Sequence, residues 1–252
     1  MRSGFPVISQ QTGDMPLRTA FVFGERNSGT NLASELLRRN FPTFKDMAGD
    51  RIAQFGFPYG WKHGFPTMVS APPTTLAVAV FRDPEIWVQS MHKRPWHAVP
   101  TLATRGFSEF LRSRWVSRVD EQNFGVMKGS DRWLSELQYD RHPLTGAPFD
   151  NLAQLRRAKN AGFLGLANRF SNCLFVRHED LVSGSEQFVA HVAEEFKVSR
   201  GGPFVPVENR RGRPAEGPYQ SVNYAPLSEA DRSFLWSQLD HAQEQYLGYS
   251  PS

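Results

Sequence analysis

A single cysteine, Cys173, in 252 residues rules out any intramolecular disulfide. Its setting, Asn172-Cys173-Leu174-Phe175-Val176, is that of a small buried thiol. No apolar stretch approaches the length of a membrane span, and Met1 to Leu17 has no apolar core of signal-peptide length. Long blocks of like charge are missing too, and Lys plus Arg exceed Asp plus Glu by only 29 − 25 = 4. Such a balance argues against a nucleic-acid partner, while a mild basic excess suits an anionic ligand. The expectation from these absences is a cytoplasmic protein in a reducing compartment, with no membrane span. The length suits one sizeable α/β domain over residues 1–252, with a mostly parallel central sheet flanked by helices.

What the chain does have is the stretch Gly24-Glu25-Arg26-Asn27-Ser28-Gly29-Thr30-Asn31. It follows the apolar run Ala20-Phe21-Val22-Phe23 and precedes Leu32-Ala33-Ser34-Glu35-Leu36-Leu37. A buried strand, a glycine-bounded loop and an amphipathic helix in that order make a cradle for a phosphate-like anion, because loop amides and a helix N-terminus offer donors together. The spacing of Gly24 and Gly29 is that of a nucleotide-binding P-loop. A P-loop NTPase, however, needs Lys and then Ser or Thr after the second glycine, to reach the terminal phosphates and hold Mg²⁺. Thr30 and Asn31 stand there instead. The cradle fits a phosphate or sulfate group, and no metal is implied.

The same pattern recurs. Leu76-Ala77-Val78-Ala79-Val80-Phe81 is a continuous apolar run of the kind buried in a parallel sheet, and it stops at Arg82-Asp83-Pro84. Asp83 is a good N-cap and Pro84 a good first residue for a helix over 84–93. An arginine at the C-terminal end of a strand lies at the sheet edge where open α/β proteins bind ligands, and Ser90 stands two helical turns along. Further helices are expected around 30–40, from Phe107, Phe110, Leu111 and Trp115, and from Leu152, Leu155, Phe163, Leu166 and Phe170. A strand is expected near Phe57–Lys62 and another over Cys173–Arg177, followed by a helix carrying Phe188, Val189, Val192 and Phe196. A last helix opens at Ser228, with Asp231 three residues on, and ends near Gly248. Residues 199–226 hold five prolines, four glycines and four arginines without periodicity, which predicts a long flexible loop.

Taken together, these units resemble the sulfotransferases that use 3′-phosphoadenosine 5′-phosphosulfate (PAPS). In that family a loop like Gly24 to Asn31 holds the 5′-phosphosulfate, and a strand ending in Arg-Asp-Pro, with Ser eight residues after the Arg, holds the 3′-phosphate. Trp61-Lys62-His63-Gly64-Phe65-Pro66 is similar to the family's segment bearing Lys and His upstream of the 3′-phosphate strand. Leu174-Phe175-Val176-Arg177-His178-Glu179-Asp180-Leu181 is similar to its late strand ending in an aromatic-Glu-Asp-Leu signature. The resemblance implies a P-loop-like three-layer domain, PAPS as co-substrate without metal, and a small-molecule or glycan acceptor met by residues 94–150.

It also implies roles for residues. Arg26, Asn27, Ser28, Gly29, Thr30 and Asn31 fall on the phosphosulfate side, Arg82 and Ser90 on the 3′-phosphate, His178 near the adenine, and Arg211 on a flap within Asn209-Arg210-Arg211-Gly212-Arg213-Pro214. The family usually has a basic residue where this chain has Asn27, so the charge there falls to Arg26 or Lys62, or the reaction is slower. His63 is the candidate base for an acceptor hydroxyl, because an imidazole titrates near working pH; His92, His97 and Glu25 are the alternatives. Trp96 and Trp133 are candidates for an acceptor pocket, and Trp115 for the core. Two other readings stand beside this one: a catalytically weak nucleotide-binding protein on the same fold, kept in play by Asn27, and a P-loop kinase or NTPase, against which Thr30 and Asn31 count.

Overall fold

Three short apolar segments build the sheet in the computed structural model, which describes residues 6–44, 59–209 and 222–251. Strand β2 (Thr19–Phe23) pairs in parallel with β3 (Thr75–Phe81), which pairs in parallel with β4 (Asn172–Arg177). A further strand, β1 (Ile8–Gln11), runs antiparallel to β4 with Ile8 opposite Phe175, giving the order β1-β4-β3-β2. Nothing in Ile-Ser-Gln-Gln alternates in polarity. It is an edge strand held by backbone pairing, and so carries no apolar pattern to read.

Alternate residues of the parallel strands enter two separate cores, as a period of two requires. Phe21, Phe23, Ala77, Ala79, Phe81, Cys173 and Phe175 face one side. They pack on α2 (Pro84–Lys93), α4 (Phe107–Arg112), α5 (Leu152–Leu164) and α8 (Glu229–Gln238), with the short α3 (Pro100–Ala103) alongside. Ala20, Val22, Leu76, Val78, Val80, Leu174 and Val176 face the other side, against α1 (Thr30–Asn40), α6 (His178–Ser183) and α7 (Ser185–Glu195). The architecture is therefore α/β, with a predominantly parallel mixed sheet between helical layers. Among the described residues no helix is long and apolar enough to cross a membrane.

Several expected boundaries shift. Of the strand expected near Phe57–Lys62, residues 57 and 58 lie outside the described residues, and Tyr59–Lys62 forms turn and loop. Gly60 has φ +89, which no strand accommodates, and a side chain there would sit 2.9 Å from the Phe65 carbonyl oxygen. Helix α4 stops at Arg112, leaving Trp115 buried beyond it, and α5 gives way to a 3-10 turn at Gly165–Asn168, leaving Phe170 outside any helix. The closing helix is two helices. Ser228 caps α8 by accepting from the Asp231 N–H, Leu239 turns extended, and Asp240 caps a new helix, α9 (His241–Tyr246), by accepting from Gln243. The described parts of 199–226 carry no helix or strand, and their first part is tied to the end of α1: Asn40 bonds both the N–H and the carbonyl of Val205 at 2.8 and 3.0 Å.

The register brings three strand ends to one edge. Ala79 lies opposite both Phe23 and Phe175, and Phe81 opposite Arg177, so β2, β3 and β4 all end at one edge. Their continuations, the Gly24 loop, Arg82-Asp83 and His178, start there together. The C-terminal helices brace this edge from behind. Buried Arg156 on α5 donates to both carboxylate oxygens of buried Glu244 on α9, at 2.7 and 2.8 Å, and gives a further bond to the Arg82 carbonyl at 2.8 Å. Removing one partner of such a pair strands an uncompensated buried charge. Glu244→Ala is expected to lower unfolding free energy by about 3–5 kcal/mol, measured by urea denaturation.

Candidate anion-binding site

The loop after β2 is built around two glycines in conformations that side chains resist. At Gly24 (φ +150) a Cβ would come within 2.5 Å of the Val80 carbonyl oxygen and 2.6 Å of Ser28 Oγ. At Gly29 (φ +98) it would meet His178 Cδ2 at 2.5 Å. The turn is closed by Ser28 N–H donating to the Glu25 carbonyl (3.1 Å) and tied down by Gly24 N–H donating to the Lys62 carbonyl (3.0 Å). Helix α1 then begins without a side-chain cap. The backbone N–H groups of Asn27, Gly29, Thr30 and Asn31 donate to none of the described residues, and Ser28 Oγ, on a residue only 2 % exposed, has no partner either. A buried hydroxyl and unused amides in one loop are costly unless something accepts from them.

Cationic and imidazole groups border that loop. Lys62, itself buried, donates from Nζ to Asn31 Oδ1 at 2.8 Å in the first turn of α1. Arg82 Nη1 donates to the Asn27 carbonyl (2.8 Å) and to Ser90 Oγ (3.2 Å), while its buried Nε has no partner among the described residues. His178 lies against Gly29, and burial together with the Arg82 charge pulls its pKa down to about 3, so the ring is neutral at neutral pH. His63 donates from Nδ1 to the Gly24 carbonyl at 2.6 Å, which leaves the Nε2 lone pair without a described partner. Burial, and after it the Lys62 charge, holds its pKa well below the ordinary histidine value, so the ring is neutral and able to accept a proton but does not titrate near working pH as the sequence suggested.

Two other expected residues behave differently. Arg26 is 1 % exposed and turns away from the loop amides into a buried cluster. Its guanidinium binds Asp140 through Nη1 and Nη2, both at 2.8 Å, and Glu25 through Nε at 3.1 Å. Lys159, fully buried on α5, completes the cluster: Nζ contacts Asp140 Oδ1 at 2.5 Å, Glu25 Oε2 at 3.0 Å and the His63 carbonyl at 2.6 Å. Trp115 Nε1 and Ser117 Oγ donate to Asp140 at 2.9 and 2.5 Å. Burial alone would raise the Asp140 carboxyl, but Arg26 and Lys159 outweigh it and hold the group far below the usual carboxylate range. Two cations and two anions thus balance inside the protein. Arg211 lies outside the described residues.

Neither Asp140 nor Lys159 was singled out from sequence. For Lys159 a signal existed: with Leu152, Leu155, Arg156 and Phe163 it falls on the buried stripe of α5, where a charge must have a partner. Asp140, in an irregular segment, offered none. Among the other base candidates, His92 Nε2 donates to the Arg105 carbonyl at 2.9 Å and Glu25 is closed off by its ion pairs. His97 donates from Nδ1 to Asp120 at 2.6 Å. Trp96 and Trp133 are half-buried, whereas Trp115 is buried.

Comparison of the chain with protein-family models, with curated proteins and with solved structures found no match.

The electrostatics give two expected outcomes. Asp140→Asn leaves two buried cations facing one carboxylate and should cost on the order of 3–5 kcal/mol of stability in urea unfolding. An unfolded histidine takes up its proton near pH 6.5 and folded His178 only near 3, so between those values the unfolded chain binds more protons and stability drains as pH falls. In His178→Asn that drain should vanish, with the difference from the unaltered protein moving in the variant's favour by up to about 1.4 kcal/mol per pH unit across the window.

Proposed function

We propose that this protein is a PAPS-dependent sulfotransferase on a P-loop-like α/β domain, moving a sulfuryl group to a hydroxyl or amine of a small-molecule or glycan acceptor. The observation that carries this reading is the pairing of two donor sets at one sheet edge. One is the loop with its unused amides and unpartnered Ser28 hydroxyl, and the other is Arg82 with Ser90, whose guanidinium keeps an unpartnered buried Nε. A ligand with two separate anionic groups satisfies both. Thr30 and Asn31 stand where a kinase or NTPase needs its Lys and Mg²⁺-binding hydroxyl.

The residues fit such a donor. Ser28, Gly29, Thr30 and Asn31, with Lys62, would hold the 5′-phosphosulfate; Arg82 and Ser90 would hold the 3′-phosphate, and His178 belongs to the nucleotide side through its contact with Gly29. When bound, the donor supplies an activated sulfuryl group and a phosphate leaving group. What the chain supplies is orientation and charge. Lys62, held by Asn31, offsets negative charge at the loop, and backbone amides do the same without a metal. His63 is fixed with its proton on Nδ1 by the Gly24 carbonyl, which presents Nε2 as the atom that takes a proton from an acceptor hydroxyl.

One observation favours a second reading, that of a catalytically weak nucleotide-binding protein. The Arg26 guanidinium is committed to Asp140 and Glu25, and Asn27 is uncharged, so the cationic help expected at that point of the loop falls to Lys62. Transfer from labelled PAPS to a panel of acceptors separates the two.

Adenosine 3′,5′-bisphosphate is expected to raise the melting temperature without divalent metal, and by more than Mg·ATP does. A shift with ATP that depends on Mg²⁺, and none with the bisphosphate, would overturn the assignment. Arg82→Ala should weaken bisphosphate binding by about 1.5–3 kcal/mol while barely changing binding of a nucleotide without a 3′-phosphate, as measured by isothermal titration calorimetry.

A further inference from the structure

Asn27 stands where the resemblance calls for a cation, and its side chain does not point at the loop amides. It has φ +61, a left-handed conformation that asparagine tolerates better than most residues. Its Nδ2 lies 3.0 Å from the Arg94 carbonyl, 3.3 Å from the Ser90 carbonyl and 3.2 Å from Met91 Sδ. Ser90 and Arg94 belong to the last turn and C-cap of α2; their carbonyls already accept from the backbone N–H groups of Arg94 (3.0 Å) and Trp96 (2.9 Å), so the carboxamide is a second donor that ties the loop to the end of this helix. The Asn27 carbonyl, in turn, accepts from Arg82 Nη1, which also donates to Ser90 Oγ. Asn27, Arg82 and Ser90 therefore form a closed ring of hydrogen bonds. Each of the three is bonded to the other two.

We propose that Asn27 is the positioning residue that couples the two halves of the site, so that the loop and the Arg82–Ser90 pair bind their anions as one unit. This rests on the bisphosphate-binding reading above. Losing the carboxamide frees the loop from α2, and the Asn27 backbone carbonyl that directs the guanidinium toward the 3′-phosphate then shifts with the loop. A cation at position 27 would add charge near the loop but could not reproduce the carboxamide bonds that close the ring. The backbone turns through positive φ, which asparagine tolerates better than lysine, and a lysine ammonium, at the end of a four-carbon stem, would not sit where the short carboxamide places its hydrogens.

The experiment is a double-mutant cycle on adenosine 3′,5′-bisphosphate affinity by calorimetry, using Asn27→Gly, Arg82→Ala and the double variant, with Asn27→Lys alongside. Glycine keeps the left-handed turn accessible, so it tests the side-chain bonds with the least disturbance of the backbone, and melting curves check each fold. Asn27→Gly alone should weaken binding about tenfold or more. In the Arg82→Ala background the same change should weaken it less than threefold, because the guanidinium it would have misplaced is gone. Asn27→Lys should bind more weakly than the unaltered protein despite its added charge. Multiplicative losses from Asn27→Gly and Arg82→Ala, or tighter binding by Asn27→Lys, would overturn the coupling while leaving the nucleotide reading in place. No binding of the bisphosphate by the unaltered protein would overturn the nucleotide reading, and the coupling with it.

Discussion

The bidentate bond between Arg26 and Asp140 is the contact on which the arrangement of this site depends. Arg26 sits in the middle of the loop between Gly24 and Gly29, and Asp140 comes from the irregular segment after α4. Neither charge could be buried alone, since an ion without a partner in a protein interior costs several kcal/mol. Together, and with Glu25 and Lys159, they form a neutral group whose members fix one another's position. Lys159 extends the constraint to the His63 carbonyl, and the Trp87 indole N–H adds a bond to the Arg26 carbonyl at 2.8 Å. Loop, imidazole and the 94–150 segment are thereby held as one body.

This cluster also explains a division of labour among the basic residues. Arg26 and Lys159 lie close to the rings of Trp61 and Trp115, which separate them from solvent and favour cations at their faces. Their charges are spent inside the protein. Arg82 differs: Ser90 Oγ, a neutral group, and the Asn27 carbonyl accept from it, and among the described residues no carboxylate pairs with it. A site for an anion needs cations of this second kind, held by neutral acceptors that fix direction without neutralising charge.

Much of the fold could be read before any coordinates, for reasons that show where reading fails. The runs at Leu76–Phe81 and Cys173–Arg177 are buried on both faces, so their composition alone marks them as strands. Asp83-Pro84 announces its helix because the cap and the first turn are local chemistry. Strand β1 and the break at Leu239-Asp240 were illegible for opposite reasons: the first depends on a partner more than a hundred residues away, and the second interrupts an apolar periodicity that continues across it. At the site, the loop and Arg82 were legible because their spacing to glycine, proline and strand ends is local. The destination of Arg26 was not, since only the tertiary fold brings Asp140 to it. Proximity in sequence to the loop suggested a ligand contact; burial gave the side chain a different task.

The order β1-β4-β3-β2 leaves the loop-bearing strand, β2, paired on one side only among the described residues. An interior strand inherits its rigidity from two ladders, while β2 has β3 alone. Side-chain bonds must then supply the stiffness that a second ladder would have given, and they come from a segment joined to the sheet by no strand. The loop's precision is therefore borrowed from the opposite side of the site. Under the transfer reaction proposed above, an acceptor pressing on the 94–150 segment would be felt at the loop through Asp140, so the two substrates of that proposal would influence the order in which each other arrives.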